Sequence, residues 1–322
     1  MKVGLTGSSG VLGSFLAPLI AEQKAISLLR LSVRESGGLT EGWTADSNKV
    51  EMLCGNLLDS RHCNDFFEGL DAVVHCANVG VPLGSDHLAA DILATNSLMT
   101  ANMLHAAMRG GKRPHFVFAS SAGAVYKKSM NGDPRPFTEE NPCEPTSFYG
   151  VSKLQSEQSL RLAAERNWLD ATILRITNIF GARVSEDRGQ GLVDVAVSRV
   201  LGAKAVTVHG SLGNVRDYVH ISDVSRAIVS ILVRPDRLIG TFNVSTGIGY
   251  SVQEVLDTIR RVSGRPIELN VPDETGSNPE LPLYAVACAE KIFRTLGWHA
   301  RISLEEGVKA LLENDPRRLA KH

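Results

Sequence analysis

A tyrosine and a lysine four residues apart, Tyr149 and Lys153, are the side chains best suited to acid–base chemistry in this sequence. They lie near the start of a predicted helix at 147–166, and residues four apart share one face of a helix. Because a nearby cation stabilises a phenolate, we expect Lys153 to lower the pKa of Tyr149 below its usual value of about 10. Tyr149 is then a candidate general acid or base.

Two serines, Ser120 and Ser121, directly follow a short apolar run at 115–119. In a parallel α/β sheet, ligands bind outside the carboxyl ends of the strands. A serine hydroxyl at that place can orient a reacting substrate oxygen. We predict Ser121 as the catalytic serine and keep Ser120 as the alternative, while turn formation would explain either serine taken alone.

A glycine-rich turn, from Thr6 to Gly13, follows the first apolar run and precedes a predicted helix at 11–22. Glycines at this place allow a tight turn and a close approach of the backbone to a pyrophosphate, and the helix N-terminus attracts the phosphates. The spacing is Gly-x-x-Gly-x-x-Gly, so the position of the turn, more than its exact motif, predicts dinucleotide binding. The candidate cofactor residues in it are Gly7, Ser9, Gly10, Val11, Leu12 and Gly13.

The end of the second predicted strand bears on which dinucleotide is bound. An acidic residue there would bond the ribose 2′-hydroxyl of NAD, whereas an arginine suits the 2′-phosphate of NADP. Val33 holds the position expected for the acid, and Arg34 follows it. The sequence therefore slightly favours NADP, and Glu35 nearby keeps NAD open.

Short apolar runs alternate with predicted helices along the first half of the chain. Runs without polar alternation indicate strands that are covered on both faces. We therefore predict an α/β fold with a doubly wound parallel, Rossmann-like sheet. Residues 1–178 would form a dinucleotide-binding domain, to which 215–248 return, and residues 179–322 would form mainly a smaller substrate-binding lobe. The C-terminal segment 289–312 predicts two helices around Leu296-Gly297-Trp298.

Composition excludes several classes of protein. The 322 residues include 34 basic and 35 acidic side chains, a balance that argues against nucleic-acid binding. No apolar run reaches the roughly 18 residues that a membrane span needs. The five cysteines are scattered without a Cys-x-x-Cys pair, so we expect free thiols and no metal site. A cytoplasmic location is the corresponding expectation.

The glycine turn, the strand-end serines and the Tyr-x-x-x-Lys pattern together resemble the extended short-chain dehydrogenase/reductases. Within them, the chain is similar to the NAD-dependent epimerase/dehydratase family of sugar-modifying enzymes. The likeness covers nearly the whole chain. Its further segments are Gly55–Asp59, His75–Asn78, Leu174–Gly181, Arg216–Val224, Phe242–Gly247 and Leu296–Trp298.

The resemblance implies further site residues. Asn178 would lie near the substrate, and Arg216 would contact a nucleotide-sugar diphosphate. A structural pairing of Arg216 with Asp217 or Asp223 stays open. The other residues expected to contact the cofactor are Asn56, Leu57, Cys76, Ala77, Asn96, Ala119, Ile176, Tyr149 and Lys153.

The resemblance also implies a mechanism. Tyr149 would act as base on a sugar hydroxyl while hydride passes to the nicotinamide, Lys153 would hold the nicotinamide ribose, and Ser121 would orient the oxygen. We expect an epimerase of a sugar or nucleotide sugar. A homodimer is expected through the predicted helices at 91–108 and 147–166.

Three departures from the family pattern keep alternatives open. Ala122 stands where a serine or threonine is frequent, Lys127-Lys128 replace a glycine, and the late Arg-x-Gly-Asp element is missing around 274–280. The lost arginine would weaken binding of a diphosphate. An NADPH-dependent ketoreductase of a keto-sugar or other small carbonyl compound is one alternative. A non-catalytic cofactor-binding sensor is the other, and dehydration is the least favoured chemistry.

Overall fold

The computed structural model divides the chain into two compact units. The residues described are 1–34, 49–80, 88–127, 134–182, 191–208, 210–270 and 283–314. The first unit comprises Met1–Val125, Pro145–Arg175 and Ser225–Phe242. The second unit comprises Tyr126–Glu144, Ile176–Val224 and Asn243–His322. Residues 126–144, 215–224 and 243–248 therefore belong to the second compact unit. The division into a cofactor-binding domain and a substrate-binding lobe stays a prediction.

The secondary structure alternates between strands and helices through most of the described chain. The strands are β1 (Lys2–Thr6), β2 (Leu28–Val33), β3 (Val50–Cys54), β4 (Ala72–His75), β5 (His115–Ser121), β6 (Asp170–Ile176), β7 (Asn178–Phe180), β8 (Val206–Thr207), β9 (Val215–His220), β10 (Gly240–Val244), β11 (Gly249–Ser251), β12 (Leu269–Asn270) and β13 (Tyr284–Ala285). The helices are α1 (Val11–Ala21), α2 (Ser60–Phe67), α3 (Ala89–Arg109), α4 (Ala122–Val125), α5 (Phe148–Glu165), α6 (Leu192–Leu201), α7 (Ile221–Leu232), α8 (Val252–Ser263), α9 (Glu290–Leu296) and α10 (Leu304–Glu313).

The main sheet has the order β10-β6-β5-β4-β1-β2-β3 within the described residues. Neighbouring strands from β3 through β5 pair in parallel. The chain passes outward from β1 to β3, then returns to the other side of β1 with β4. This reversal between β1 and β4 is the point where doubly wound sheets bind ligands at the carboxyl ends of their strands. The predicted Rossmann-like fold is confirmed.

Buried apolar side chains hold the strands and helices of the first unit together. Every residue of β4 and β6 is buried, as the unalternated apolar runs predict. The helices α2, α3 and α5 contribute Phe66, Met103 and Leu160 to one core, which Phe116 and Ile173 of the sheet complete. Within the described residues, no helix is long and apolar enough to cross a membrane.

Two boundaries differ from the sequence-based prediction in ways that matter for the site. Strand β5 continues beyond Ala119 and includes both Ser120 and Ser121. Helix α5 begins at Phe148, because the Ser147 hydroxyl caps it by accepting a bond from Gly150 N at 3.1 Å. The two serines therefore belong to a strand that faces the start of a helix.

The second unit has a smaller sheet of its own. Strand β9 pairs with β11, β13 and β7, and β8 pairs with β12. Helices α6, α8 and α10 share an apolar core that includes Val197, Leu256 and Val308. Helix α9 ends at Gly297, where φ is +66°, and α10 follows, so the two C-terminal helices predicted around this glycine are confirmed.

Candidate active site

The glycine turn between β1 and α1 adopts a backbone path that admits no side chain at two positions. Gly7 has φ +69°, and a Cβ there would lie 2.6 Å from the backbone nitrogen of Ala77. A Cβ on Gly13 would lie 2.1 Å from the carbonyl oxygen of Gly7. The first turn of α1 therefore packs directly against the end of β1, as the motif requires.

The N-terminus of α1 is chemically suited to an anion. No side chain caps it at Gly10, and its first turn carries no acidic residue. Ser9 and Gly10 are exposed, Val11 is half-buried, and Leu12 is buried in the core. An uncapped helix N-terminus beside a turn without side chains fits a pyrophosphate. Leu12 can contribute only its backbone to such a site.

Thr6 joins this turn to the segment that follows β4. Its hydroxyl lies 2.7 Å from Nδ1 of His75 and accepts a bond from Ala77 N at 3.3 Å. Its carbonyl accepts a bond from Cys76 N at 3.3 Å. Burial lowers the pKa of His75 to about 3, so the ring is neutral at physiological pH. Cys76 and Ala77 thus lie beside the glycine turn at the point where the sheet reverses.

Tyr149 and Lys153 on α5 both contact the end of β5. The Tyr149 hydroxyl is hydrogen-bonded to the Ser121 side chain. The Lys153 ammonium donates a bond to the Ala119 carbonyl at 2.8 Å and lies 5.7 Å from the centre of the Tyr149 ring. It also lies 4.8 Å from the centre of the Phe118 ring. Hydroxyl, phenol and ammonium groups thus come together at the carboxyl end of a strand.

The pKa of Tyr149 shifts in the direction opposite to the sequence-based expectation. Burial raises it to about 12, and the hydrogen bond with Ser121 lowers it only partly. Burial also lowers the pKa of Lys153 to about 8, against the opposing effects of Cys76 and Glu157. The expectation was wrong because loss of hydration governs the pKa of the phenol, and the group that lowers this pKa is Ser121. Tyr149 is a neutral phenol, a proton donor, at neutral pH.

The two candidate serines have different partners. The buried Ser120 hydroxyl donates to Glu157 Oε1 at 2.6 Å. The Ser121 side chain bonds to Tyr149, and Ala122 begins α4 as a buried residue. The geometry therefore brings Ser121, and not Ser120, to the phenol.

The Asn96 side chain forms hydrogen bonds within the protein, so it has a structural role at this place. Its Oδ1 accepts a bond from Val79 N at 2.9 Å, and its Nδ2 donates to Val79 O at 2.9 Å and to Ser152 Oγ at 3.1 Å. The Ser152 hydroxyl in turn donates to Tyr149 O at 2.8 Å. Asn96 thus ties the segment after β4 to the start of α5. Ser152 carries no sequence signal of this role except its position one residue before Lys153.

The residues expected at the adenosine end lie around β2 and the segment after β3. Gly55 N donates to Val33 O at 2.8 Å, which places that segment beside the end of β2. Asn56 is exposed and accepts a bond from Leu58 N, whereas Leu57 is buried. Arg34 is exposed at the surface. Glu35 lies outside the described residues, as do Lys128 and residues 274–280.

The predicted substrate residues belong to the second unit. Asn178 Nδ2 donates to Asp217 O at 2.9 Å, and Arg216 donates to the carbonyl of Val215 at 2.8 Å. Burial lowers the pKa of the half-buried Arg216 guanidinium. No ion pair joins Arg216 to a carboxylate in the part of the chain that the structure describes. Ile176 is buried at the end of β6.

The two carboxylates predicted as possible partners of Arg216, Asp217 and Asp223, accept hydrogen bonds from other groups. Asp217 accepts bonds from the backbone N–H groups of Thr246 and Gly247 and from the hydroxyl of Thr177. The pairing of Arg216 with Asp217 or Asp223 is therefore not found among the described ion pairs. Asp223 Oδ2 accepts bonds from Arg301 N and Ile302 N, both at 2.9 Å.

Two further charged residues near the site, Glu157 and Arg175, were not among the residues predicted from the sequence. Glu157 is fully buried and forms an ion pair with Arg175 at 2.7 Å. It follows Tyr149 and Lys153 at a second interval of four residues, which would have placed it on the same helix face. No group of His, Cys, Asp or Glu side chains in the described chain is arranged to hold a metal ion.

Comparisons with known proteins agree with this geometry. A model of the NAD-dependent epimerase/dehydratase family matches residues 3–245. The chain is 31% identical to the UDP-glucose 4-epimerase of Azospirillum brasilense, with 95% of this chain and 89% of that protein covered. It is 28% identical to a putative UDP-glucose 4-epimerase of Methanocaldococcus jannaschii, with 96% of each covered.

Solved structures of UDP-glucose 4-epimerases have folds similar to that of this chain. The UDP-glucose 4-epimerase of Thermotoga maritima with UDP-glucose has a TM-score of 0.86 and 25% identity, covering 99% of this chain and 100% of that one. The UDP-glucose 4-epimerase of Thermus thermophilus in complex with NAD has a TM-score of 0.82 and 25% identity, covering 97% of this chain and 98% of that one.

Proposed function

The chain belongs to the NAD-dependent epimerase/dehydratase family, and from this membership we propose that it epimerises a UDP-sugar at C4 with NAD as its cofactor. The single observation that carries the proposal is the contact of Ser121 with Tyr149 beside the Lys153 ammonium. These groups can move a proton to and from a sugar hydroxyl. Relatives named as UDP-glucose 4-epimerases support this choice of reaction.

The residues of the glycine turn fit the pyrophosphate of NAD. The backbone at Gly7, Ser9 and Gly10 and the N-terminus of α1 would hold it, and Cys76 and Ala77 adjoin that turn. When bound, NAD supplies the group that takes up and returns a hydride, and its oxidised ring is positively charged. The chain itself supplies position and proton transfer.

Proton transfer is assigned to Tyr149 Oη. As a phenolate it would accept the proton of the sugar hydroxyl, and as a phenol it would return it. Because burial raises its pKa to about 12, the basic form needs positive charge nearby. The Lys153 ammonium supplies part of that charge, and the Ser121 hydroxyl would hold the sugar oxygen.

We propose NAD in preference to NADP. The Thermus relative was solved with NAD, and none of these comparisons supports the preference for NADP that Arg34 suggested. The exposed Arg34 side chain is consistent with a solvated charge at a strand end. Denaturing the purified protein and identifying the released nucleotide by chromatography tests this choice, and release of NADP alone would overturn it.

Substrate binding is assigned in part to Asn178 and Arg216. A half-buried guanidinium without a carboxylate partner among the described residues suits an anionic ligand, and the diphosphate of a UDP-sugar is one. Asn178 would bond the sugar. These assignments follow the family resemblance and remain to be tested by substitution.

Epimerisation is tested by incubating the purified protein with UDP-glucose, without added cofactor, and following the sugar by NMR. We expect conversion to UDP-galactose, or conversion of UDP-N-acetylglucosamine or UDP-glucuronate to its C4 epimer. Tyr149→Phe protein serves as the control. No conversion of any of these UDP-sugars would contradict the proposal.

A ketoreductase is the second candidate function. In this function the Tyr149 phenol, whose pKa burial raises to about 12, would donate its proton to a carbonyl oxygen. One relative, 26% identical over 62% of this chain, is named dTDP-4-dehydro-6-deoxyglucose reductase. Consumption of NADPH with a keto-sugar, in protein that converts no UDP-sugar, would select this candidate. Activity of either kind would exclude a non-catalytic sensor.

We further propose a homodimer through α3 and α5. These helices pack side by side through the Ser97–Gln155 and Thr100–Ser156 bonds. Leu98, Val151 and Leu162 on them are exposed apolar residues. Light scattering after size-exclusion chromatography would give the mass, and a monomer at micromolar concentration would contradict the proposal. The cytoplasmic location stays a prediction, which cell fractionation would test.

A further inference from the structure

Three consecutive residues of β5 are each held by a different side chain of α5. Lys153 donates to the carbonyl of Ala119 at 2.8 Å. Glu157 accepts a bond from the Ser120 hydroxyl at 2.6 Å. Tyr149 bonds to Ser121. The three helical residues are spaced by four, so they lie along one face of α5 and line up with the end of the strand.

Glu157 is the innermost of these three groups. Its side chain is fully buried, and its Oε2 lies 2.7 Å from Arg175 and 2.7 Å from Arg161. A buried carboxylate is costly unless it is paired and hydrogen-bonded. Two guanidiniums and the Ser120 hydroxyl meet that requirement. The chain thus maintains a compensated negative charge directly behind the proposed catalytic groups.

We propose that Glu157 is a positioning residue for catalysis: it fixes the end of β5 against α5 through Ser120, and its negative charge faces the Lys153 ammonium. Ser120 and Ser121 are adjacent in the strand, so the bond to Ser120 sets where the Ser121 hydroxyl meets Tyr149. A displacement of about 1 Å at such a hydroxyl can cost about 100-fold in rate. Glu157 itself touches neither of the proposed reacting groups, Ser121 and Tyr149, in the described contacts.

The charge of Glu157 also acts on Lys153. Among the described residues, the titratable groups that face Lys153 are His75 at the end of β4, Cys76 directly after it, and Tyr149 and Glu157 on its own helix. Burial lowers the pKa of Lys153 to about 8, and Cys76 and Glu157 raise it. His75 is neutral because burial lowers its pKa to about 3. Removal of the Glu157 charge should therefore lower the pKa of Lys153 below about 8.

The chain offers a matched control in Asp170. This carboxylate is also buried and also binds two guanidiniums, those of Arg113 at 2.6 Å and Arg237 at 2.7 Å. It has no described contact with Lys153 or with the serines of β5. Asp170→Asn should lower the stability as Glu157→Gln does, because both leave arginines unpaired. Asp170→Asn should change neither the pKa of Lys153 nor kcat.

The first experiment follows the Lys153 ammonium directly in the full chain. Protein labelled with ¹³C at the lysine Cε is titrated by NMR, and the Lys153 signal is identified by its absence in Lys153→Met. Glu157→Gln should lower the midpoint by about one pH unit, while Glu157→Asp and Asp170→Asn leave it near that of the wild type. An unchanged midpoint in Glu157→Gln would overturn the electrostatic part. This measurement needs no substrate, so it stands even if the proposed function fails.

The second experiment tests positioning and rests on the proposed function. Ser120→Ala, which removes only one hydroxyl, should lower kcat about 10-fold or more with KM for the UDP-sugar nearly unchanged. The alkaline limb of its pH profile should stay in place, whereas that of Glu157→Gln moves to lower pH. Should Glu157→Gln fail to fold, Ser120→Ala decides alone: an unchanged kcat would overturn the proposal. A wild-type protein without epimerase activity would count against the proposed function only.

Discussion

In the first unit, the buried carboxylates Glu157 and Asp170 each bind two guanidiniums, whereas in the second unit Asp194 and Asp217 are buried and bonded by neutral groups. Asp194 accepts a bond from Gly181 N at 2.8 Å, and Asp217 is bonded by backbone and hydroxyl groups. Burial raises the pKa of both Asp194 and Asp217. The described residues of the second unit thus leave these charges without an ionic partner.

The same contrast holds for the arginines. Arg175 is paired with Glu157 and Arg237 with Asp170, both at 2.7 Å. Arg216 bonds the carbonyl of its neighbour Val215 and has no described ion pair. A paired charge stabilises the fold and is not free for a ligand, whereas an unpaired half-buried charge has most to gain from one. Under the proposed function, Tyr149 of the first unit would transfer the proton, and Arg216 of the second unit would supply charge to the substrate.

Tyr149→Phe should have the largest effect, because it removes the proton-transfer group and leaves the charges of both units unchanged. We expect kcat to fall about 10²- to 10⁴-fold with little change in Tm or in retained nucleotide. Steady-state kinetics, thermal unfolding and analysis of released nucleotide would measure these quantities. Activity within tenfold of the wild type would remove Tyr149 from the mechanism.

Asp194→Asn tests the unpaired carboxylate of the second unit. The pKa of Asp194 is about 7 in the folded chain against 3.8 for an unperturbed side chain, so the folded state binds more protons between these values. The contribution of Asp194 to the free energy of unfolding should therefore fall as pH rises from about 4 to 7. Asp194→Asn should lack this loss, which amounts to at most about 4 kcal/mol. Denaturant unfolding at pH 4, 5.5 and 7.5 would measure it.

The matched control for this prediction is Asp170→Asn in the first unit. Removal of a paired carboxylate should destabilise the protein at neutral pH, where Asp194→Asn should stabilise it relative to the wild type. Equal pH dependence in the wild type and Asp194→Asn would show that Asp194 is compensated after all. The contrast between paired carboxylates in the first unit and unpaired ones in the second would then no longer hold for Asp194.

Arg216→Met has the smallest expected effect, and it should act on binding. Loss of a charged contact to a diphosphate should raise KM for the UDP-sugar about 10- to 100-fold with kcat little changed. Tm should not fall, because no described ion pair is broken. Arg237→Met is the control: it breaks the Asp170 pair, so Tm should fall while KM stays unchanged. A KM equal to that of the wild type in Arg216→Met would exclude Arg216 from the substrate site.

The first unit could be predicted from the sequence because its determinants are local. Unalternated apolar runs mark β1, β4 and β6, Ser147 begins α5 as an N-cap, and Gly7 and Gly13 occupy positions that only glycine fits. The spacing of Tyr149 and Lys153 placed both on one helix face. These features depend on residues a few positions apart.

Features that depend on tertiary packing could not be predicted in this way. The pKa of Tyr149 is raised by burial, which depends on elements far apart in the sequence. The Ser120 hydroxyl donates to Glu157, 37 residues later in the sequence, and no local pattern indicates such a contact. The short strands β7, β9 and β13 of the second unit carry no clear local pattern, and their pairing defines that unit.

The most direct test of the central claim, transient oxidation at C4 with a resident cofactor, uses UDP-glucose with deuterium at C4. The purified protein is incubated with this compound in ordinary water without added nucleotide, and the product is analysed by NMR and mass spectrometry. The hydrogen removed from C4 should return to C4, so UDP-galactose should form with its deuterium retained. Loss of the deuterium to solvent, or a need for added NADPH before any product forms, would contradict the account.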